Sequence, residues 1–202
     1  MKIKNLLILV ISLLSSPYLF ADSPLTSTKI SKAYKDFEIV QKATKVNGVL
    51  NDELMEYLSN DKNPIDLKIA LINELGWDFY GQYNSLLFYM YMKKNGMKDI
   101  NDANADILIC YAYLMAMDDY FYVDKAISYA NKAKAKNDKS YTIQIITALI
   151  EAQKKLKNQK DWCDVYTLTN DVRENKSLLI DIKQEAIDEI FEYMDRYKKY
   201  CR

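Results

Sequence analysis

Chain breakers are scarce in this sequence, and their positions bound the fold more tightly than any other feature. After residue 21 only Pro24, Pro64 and four glycines remain, at 48, 76, 81 and 96. They fall between segments whose apolar residues recur every three or four positions, which is where helix punctuation belongs. Residues 28–45 predict a first helix with Ile30, Tyr34, Phe37 and Val40 on one stripe, closed by Asn47-Gly48 as a left-handed cap. Asn51 caps a short helix through Leu58. Asn63-Pro64 reads as a cap followed by a first-turn proline, opening a helix that is apolar nearly all round and therefore central.

Further helices are expected over 84–94, 103–117, 123–136, 141–157 after the cap Ser140, and 161–172. A last one starts after Ser177 and runs to the end of the chain, with Leu179, Ile182, Ala186, Ile190, Met194 and Tyr197 in register. The run Leu86-Leu87-Phe88-Tyr89-Met90-Tyr91-Met92 fits no single periodicity. Its methionines and the Asn95-Gly96 stop place it with the helices. No stretch alternates polar and apolar residues long enough to make a strand. The expected fold is all-α, with eight or nine helices in antiparallel pairs forming a bundle or a short array of helical hairpins.

The N-terminus has the order of a secretory signal: Lys2 and Lys4, an apolar run from Leu6 to Leu14, then Ser15-Ser16-Pro17 and the small Ala21 before Asp22. A membrane-spanning helix needs about 20 apolar residues, and polar residues and proline interrupt this run well before that. The expectation is cleavage near Ala21, leaving residues 22–202 as one domain, periplasmic or secreted and not inserted in a membrane. Loss of two lysines turns 28 basic against 28 acidic residues into 26 against 28, a net charge of −2. That balance gives no electrostatic case for nucleic acid or anionic lipid as a partner.

Residues 103–137 pair a bulky segment with the phrase KAISYANKAKAKN, which sets Ala126, Ala130 and Ala133 at helical spacing. This hairpin resembles a tetratricopeptide repeat, whose second helix carries small residues so that two helices approach closely. Cys110 and Leu114 stand where that family has its signature tryptophan and glycine, and the closing proline is missing. The resemblance implies a superhelical array with a concave, protein-binding face. Alanine-rich packing in an unrelated bundle fits the same residues.

The chain has no histidine, which excludes Ser-His and Cys-His nucleophiles and imidazole-held metals. Four scattered glycines make no phosphate-cradling loop or dinucleotide fingerprint. Carboxylates remain as candidate acids and bases: Asp118-Asp119, Asp161 with Asp164, and Glu185, Asp188, Glu189 and Glu192. Each has a plainer explanation as a turn, a helix N-terminus or a solvated face. No catalytic residue, metal site or cofactor is expected.

Of the three cysteines, Cys110 lies in an apolar run and reads as a small buried hydrophobe, while Cys163 and Cys201 lie on the last two helices and are expected to form a disulfide after export. Aromatic residues crowd one third of the chain, and from them Trp77, Tyr80, Tyr83, Tyr89, Tyr120 and Tyr122 are the candidate partner-binding set. A tyrosine-rich core is the competing explanation. The function expected from these features is a non-enzymatic exported module that binds another protein, such as an immunity-type inhibitor of a secreted toxin or an envelope adaptor. The alternatives are a carboxylate-dependent envelope hydrolase and a carrier of small apolar ligands.

Overall fold

A computed structural model describes residues 23–77 and 83–201; the signal-like segment, Phe79 and Tyr80 lie outside the described residues. The fold is all-α. Nine α-helices follow one another among the described residues: α1 (Glu38–Ala43), α2 (Asp52–Ser59), α3 (Ile65–Leu75), α4 (Asn84–Lys94), α5 (Ala105–Asp118), α6 (Asp124–Lys136), α7 (Tyr141–Lys155), α8 (Trp162–Glu174) and α9 (Gln184–Met194). Short 3₁₀ segments at Ile30–Tyr34, Ile100–Asp102, Gln159–Asp161 and Asp195–Tyr200 connect or finish them.

Local chemistry accounts for most of the boundaries. Asn51, Asn104 and Ser140 each accept a hydrogen bond from the backbone N–H three residues on, opening α2, α5 and α7. Asn47 and Gly48 both hold positive φ, 50° and 78°, and turn the chain out of the first helical segment. Helices α5 and α7 form the centre, since ten of the fourteen residues of α5 and twelve of the fifteen of α7 are buried. Helix α6 packs on α5 through Ala126, Ala130 and Ala133, all buried, because side chains this small let two backbones come close.

Three boundaries differ from the sequence expectation. The first helix is broken: a 3₁₀ turn ends at Tyr34, Phe37 is extended, and α1 begins only at Glu38. The break lets Tyr34 point inward, where its hydroxyl donates to Asp66 Oδ2 (3.0 Å) and accepts from the Lys183 N–H (2.8 Å), while the Lys183 ammonium lies 4.4 Å from the Phe37 ring centre. Asn63 does not cap α3. Its amide donates to the Tyr57 carbonyl, and Pro64 takes the flanking position.

The last helix starts at Gln184 rather than after Ser177, so Leu179 is not on its stripe and is 68% exposed. Backbone pairing holds this segment extended: the Leu179 N–H donates to the Lys139 carbonyl (2.8 Å) and the Tyr141 N–H to the Leu179 carbonyl (3.1 Å). The Asp181 carboxylate then accepts from Ser140 Oγ (2.5 Å), the Thr142 N–H (2.8 Å) and Thr142 Oγ1 (2.8 Å), so it caps α7 from about forty residues downstream. The first described helical segment, Ile30–Tyr34, packs against α3 and α9, and Lys32 pairs with Glu189 at 2.9 Å. No described helix is long and apolar enough to cross a membrane.

Candidate functional site

Five of the carboxylates considered as acids or bases, Asp118, Asp119, Asp164, Asp188 and Glu189, have structural partners. Asp118, the last residue of α5, accepts the Asn84 N–H (3.0 Å) and the Ser85 N–H (2.8 Å), supplying the cap that α4 lacks from its own sequence. Burial raises its carboxyl above the ordinary aspartate value, against the pull of those bonds. Asp119 accepts from the Phe121 and Tyr122 N–H groups and shapes the turn after α5. Asp164 pairs with Lys155 at 3.0 Å, Glu189 with Lys32, and Asp188 accepts from the Gln184 side chain. Among the described residues no three Asp, Glu or Cys side chains are grouped so as to hold a metal ion.

The capping role of Asp118 has a direct consequence. Asp118→Ala removes the acceptor of two N–H groups at the start of α4, and a lost N-cap costs about 1 kcal/mol. Amide hydrogen exchange at Asn84 and Ser85 is expected to accelerate in this variant while exchange in α7 does not change. Unaltered exchange at both amides would show that the cap does not hold α4.

Sequence reasoning missed one ionic group. Lys68 on α3 is fully buried, its ammonium has no hydrogen-bond partner, and the Asp106 carboxylate at 3.9 Å is its counter-charge. Burial raises the Asp106 carboxyl above its ordinary value, and Lys68 pulls it back in part. The signal was a lone lysine inside a segment read as apolar all round. Cys110 is buried, and burial pushes its thiol up to about 12, as befits an inert hydrophobe. Cys163 and Cys201 are brought together at disulfide distance, their Cα atoms 4.8 Å apart.

The structure splits the candidate aromatic set. Tyr120 is 5% exposed, with its ring edge-on to Trp77 (5.0 Å between centres) and close to Phe121 (4.3 Å). It belongs to the core, and this corrects its expected place at the surface. Trp77 is half-buried against the same core. Tyr89 is half-buried in a row of rings that continues through Tyr111 (6.2 Å) to Tyr129 (5.0 Å from Tyr111), linking α4, α5 and α6. Tyr83 and Tyr122 alone of the described candidates stand out into solvent, at 73% and 76% exposure.

Tyr83 begins a surface stripe that aromatic content alone did not reveal. Leu86, Leu87 and Met90 are exposed as well, Met90 by 60%, and the spacing 83, 86, 87, 90 is one face of a helix. The opposite side of α4 buries Asn84, Phe88 and Met92. Helix α4 is therefore apolar on two sides with only one covered, which is why the run from Leu86 to Met92 showed no clear period. The bonds from Asp118 to the first amides of α4 set the following turn, with exposed Phe121 and Tyr122, beside this helix start. Lys157 lies 5.2 Å from the centre of the Tyr122 ring. Contiguous exposed apolar side chains of this size mark interaction sites more often than scattered single ones do.

A separate cleft of about 480 Å³ is lined by Phe37, Tyr57, Glu38, Glu53, Glu56 and Lys42 among others. Lys42 bonds both Glu38 (2.7 Å) and Glu53 (2.6 Å) there, so these charged side chains share the lining with the apolar Phe37, Ile39, Tyr57 and Leu67. Comparison of the chain with protein-family models, with curated proteins and with solved structures gives no match.

Proposed function

We propose that the protein is an exported, non-enzymatic module that binds another protein through the outward face of α4, with Phe121 and Tyr122 extending that face. The exposed stripe of Tyr83, Leu86, Leu87 and Met90 carries this reading. With Leu86 at 54%, Leu87 at 36% and Met90 at 60% exposure on a helix whose other face is buried, a partner that covered them would supply about 1 kcal/mol for each, half the value for a fully exposed side chain. Export is supported by the signal-like order of residues 2–21 and by the pairing of Cys163 with Cys201, a bond that persists in oxidising compartments. A periplasmic immunity-type inhibitor and an envelope adaptor both fit such a module.

The test is capture of partners from the native envelope by the mature protein and by Leu86→Glu and Met90→Glu. Both positions are exposed, so the thermal midpoints should stay within the small range typical of surface changes. Binding is expected to fall by about 30-fold or more, equivalent to about 2 kcal/mol, as for a central anchor. Undiminished capture by both variants would place the functional surface elsewhere.

A further inference from the structure

We infer that the partner presents an amphipathic helix whose apolar stripe is bordered by acidic side chains. This rests on α4 being the binding face and adds the chemistry of what covers it. The exposed residues repeat at helical spacing along about 10 Å of axis, at 1.5 Å per residue, and a ridge of that kind is matched by the stripe of a second helix.

Charge decides what flanks that stripe. Helix α4 contains no acidic residue and ends in Lys93 and Lys94, with Lys98 just beyond. Lys93 donates only to the Lys98 carbonyl, and among the described residues none of the three is ion-paired. Asp99, the acid next to Lys98, accepts the backbone N–H and side-chain amide of Asn101 and lies close enough to Lys132 and Lys93 to feel both charges, so three lysines outnumber one acid at this end. At the other end Lys157 stands over Tyr122, while Asp118 and Asp119 hold the backbone amides of residues 84–85 and 121–122, so the basic border lies at the C-terminal end of α4. The chain as a whole carries 28 charges of each sign, so this basic border is local rather than a reflection of composition. Carboxylates beside the partner's stripe would complement it and repel wrong partners of the same shape.

The probe is a synthetic amphipathic helix of about 20 residues, long enough to be helical, with leucines along one stripe and glutamates on both borders. A twin peptide carries lysines in place of the glutamates, and vesicles of anionic phospholipid are the third ligand. Each is titrated against the full mature protein at low salt. The acidic peptide is expected to bind at least about tenfold tighter than its twin, and to weaken as salt rises. Met90→Glu should reduce its affinity about 30-fold with an unchanged thermal midpoint. Replacing Lys93 and Lys94 together by glutamate should reverse the preference between the two peptides.

Equal affinity for both peptides, or binding of neither, overturns the inference. So does tight binding to the vesicles without peptide binding, or self-association of the protein that Met90→Glu abolishes, since the occupant is then lipid or a second copy. If Leu86→Glu and Met90→Glu abolish capture from the envelope while the acidic peptide fails to bind, the partner chemistry falls and α4 remains the binding face. If those variants capture partners as well as the parent does, both conclusions fall.

Discussion

Replacing Cys163 and Cys201 together by serine is expected to destabilise the protein by about 4 kcal/mol, the loop-closure value for a 39-residue loop. For a domain of this length that is a drop in thermal midpoint of about 8–16 °C. The bond ties the start of α8 to the end of the chain, a region already packed by Trp162, whose ring is edge-on to Tyr197 (5.9 Å) and Tyr200 (4.7 Å). Arg173 pairs with Asp195 at 3.0 Å across the same junction and stacks on Phe191. These contacts survive reduction, so the reduced protein should still fold, with its melting curve moved rather than lost. Thermal melts with and without reductant, alongside the double serine variant, measure the effect. The unreduced, denatured protein should show one free thiol, that of Cys110. Three free thiols, or coincident melts, would exclude the bond.

The second large effect concerns the buried charge. Asp106→Ala is expected to cost about 3–5 kcal/mol, because it leaves the Lys68 ammonium inside the protein with no counter-charge. Lys68→Met should behave in the opposite way and be neutral or stabilising by about 1–4 kcal/mol. Methionine fills similar space, and the lysine it replaces is poorly repaid: its carboxylate is 3.9 Å away and it has no hydrogen bond. Combining Lys68→Met with Asp106→Ala should recover most of what Asp106→Ala loses alone, since the penalty belongs to the stranded ammonium. Urea unfolding of the three variants gives the numbers. A loss of more than about 2 kcal/mol in Lys68→Met would mean that the ammonium contributes more than its desolvation removes.

The helices were legible in the sequence because the signals that start and stop them are local. Asn51 and Ser140 cap helices by accepting from the N–H three residues ahead, and Asn47-Gly48 adopts the positive φ that ends a right-handed helix. The cysteine pair was legible because it needed only the adjacency of the last two elements. What could not be read lies at long range. The caps of α4 and α7 reach across more than thirty residues, from Asp118 and Asp181, and nothing near Asn84 or Thr142 announces them. Those bonds give Asp118, a candidate acid, a capping role, and those of Asp181 help hold residues 178–183 out of the helix their spacing suggested.

The surface was the least legible part, for a physical reason. A sequence states which side chains are apolar, and the hydrophobic effect rewards covering them, but it does not say which covered face runs out of neighbours. The order of apolar residues, caps and breakers therefore determined an all-helical fold, and the same order placed the aromatic-rich segment in the middle of the chain. Tertiary packing decided that Tyr113 and Tyr120 are enclosed while Tyr83 and Tyr122 are not. It also decided that α4, apolar on both sides, meets the core with Phe88 and Met92 and leaves Leu86, Leu87 and Met90 in water.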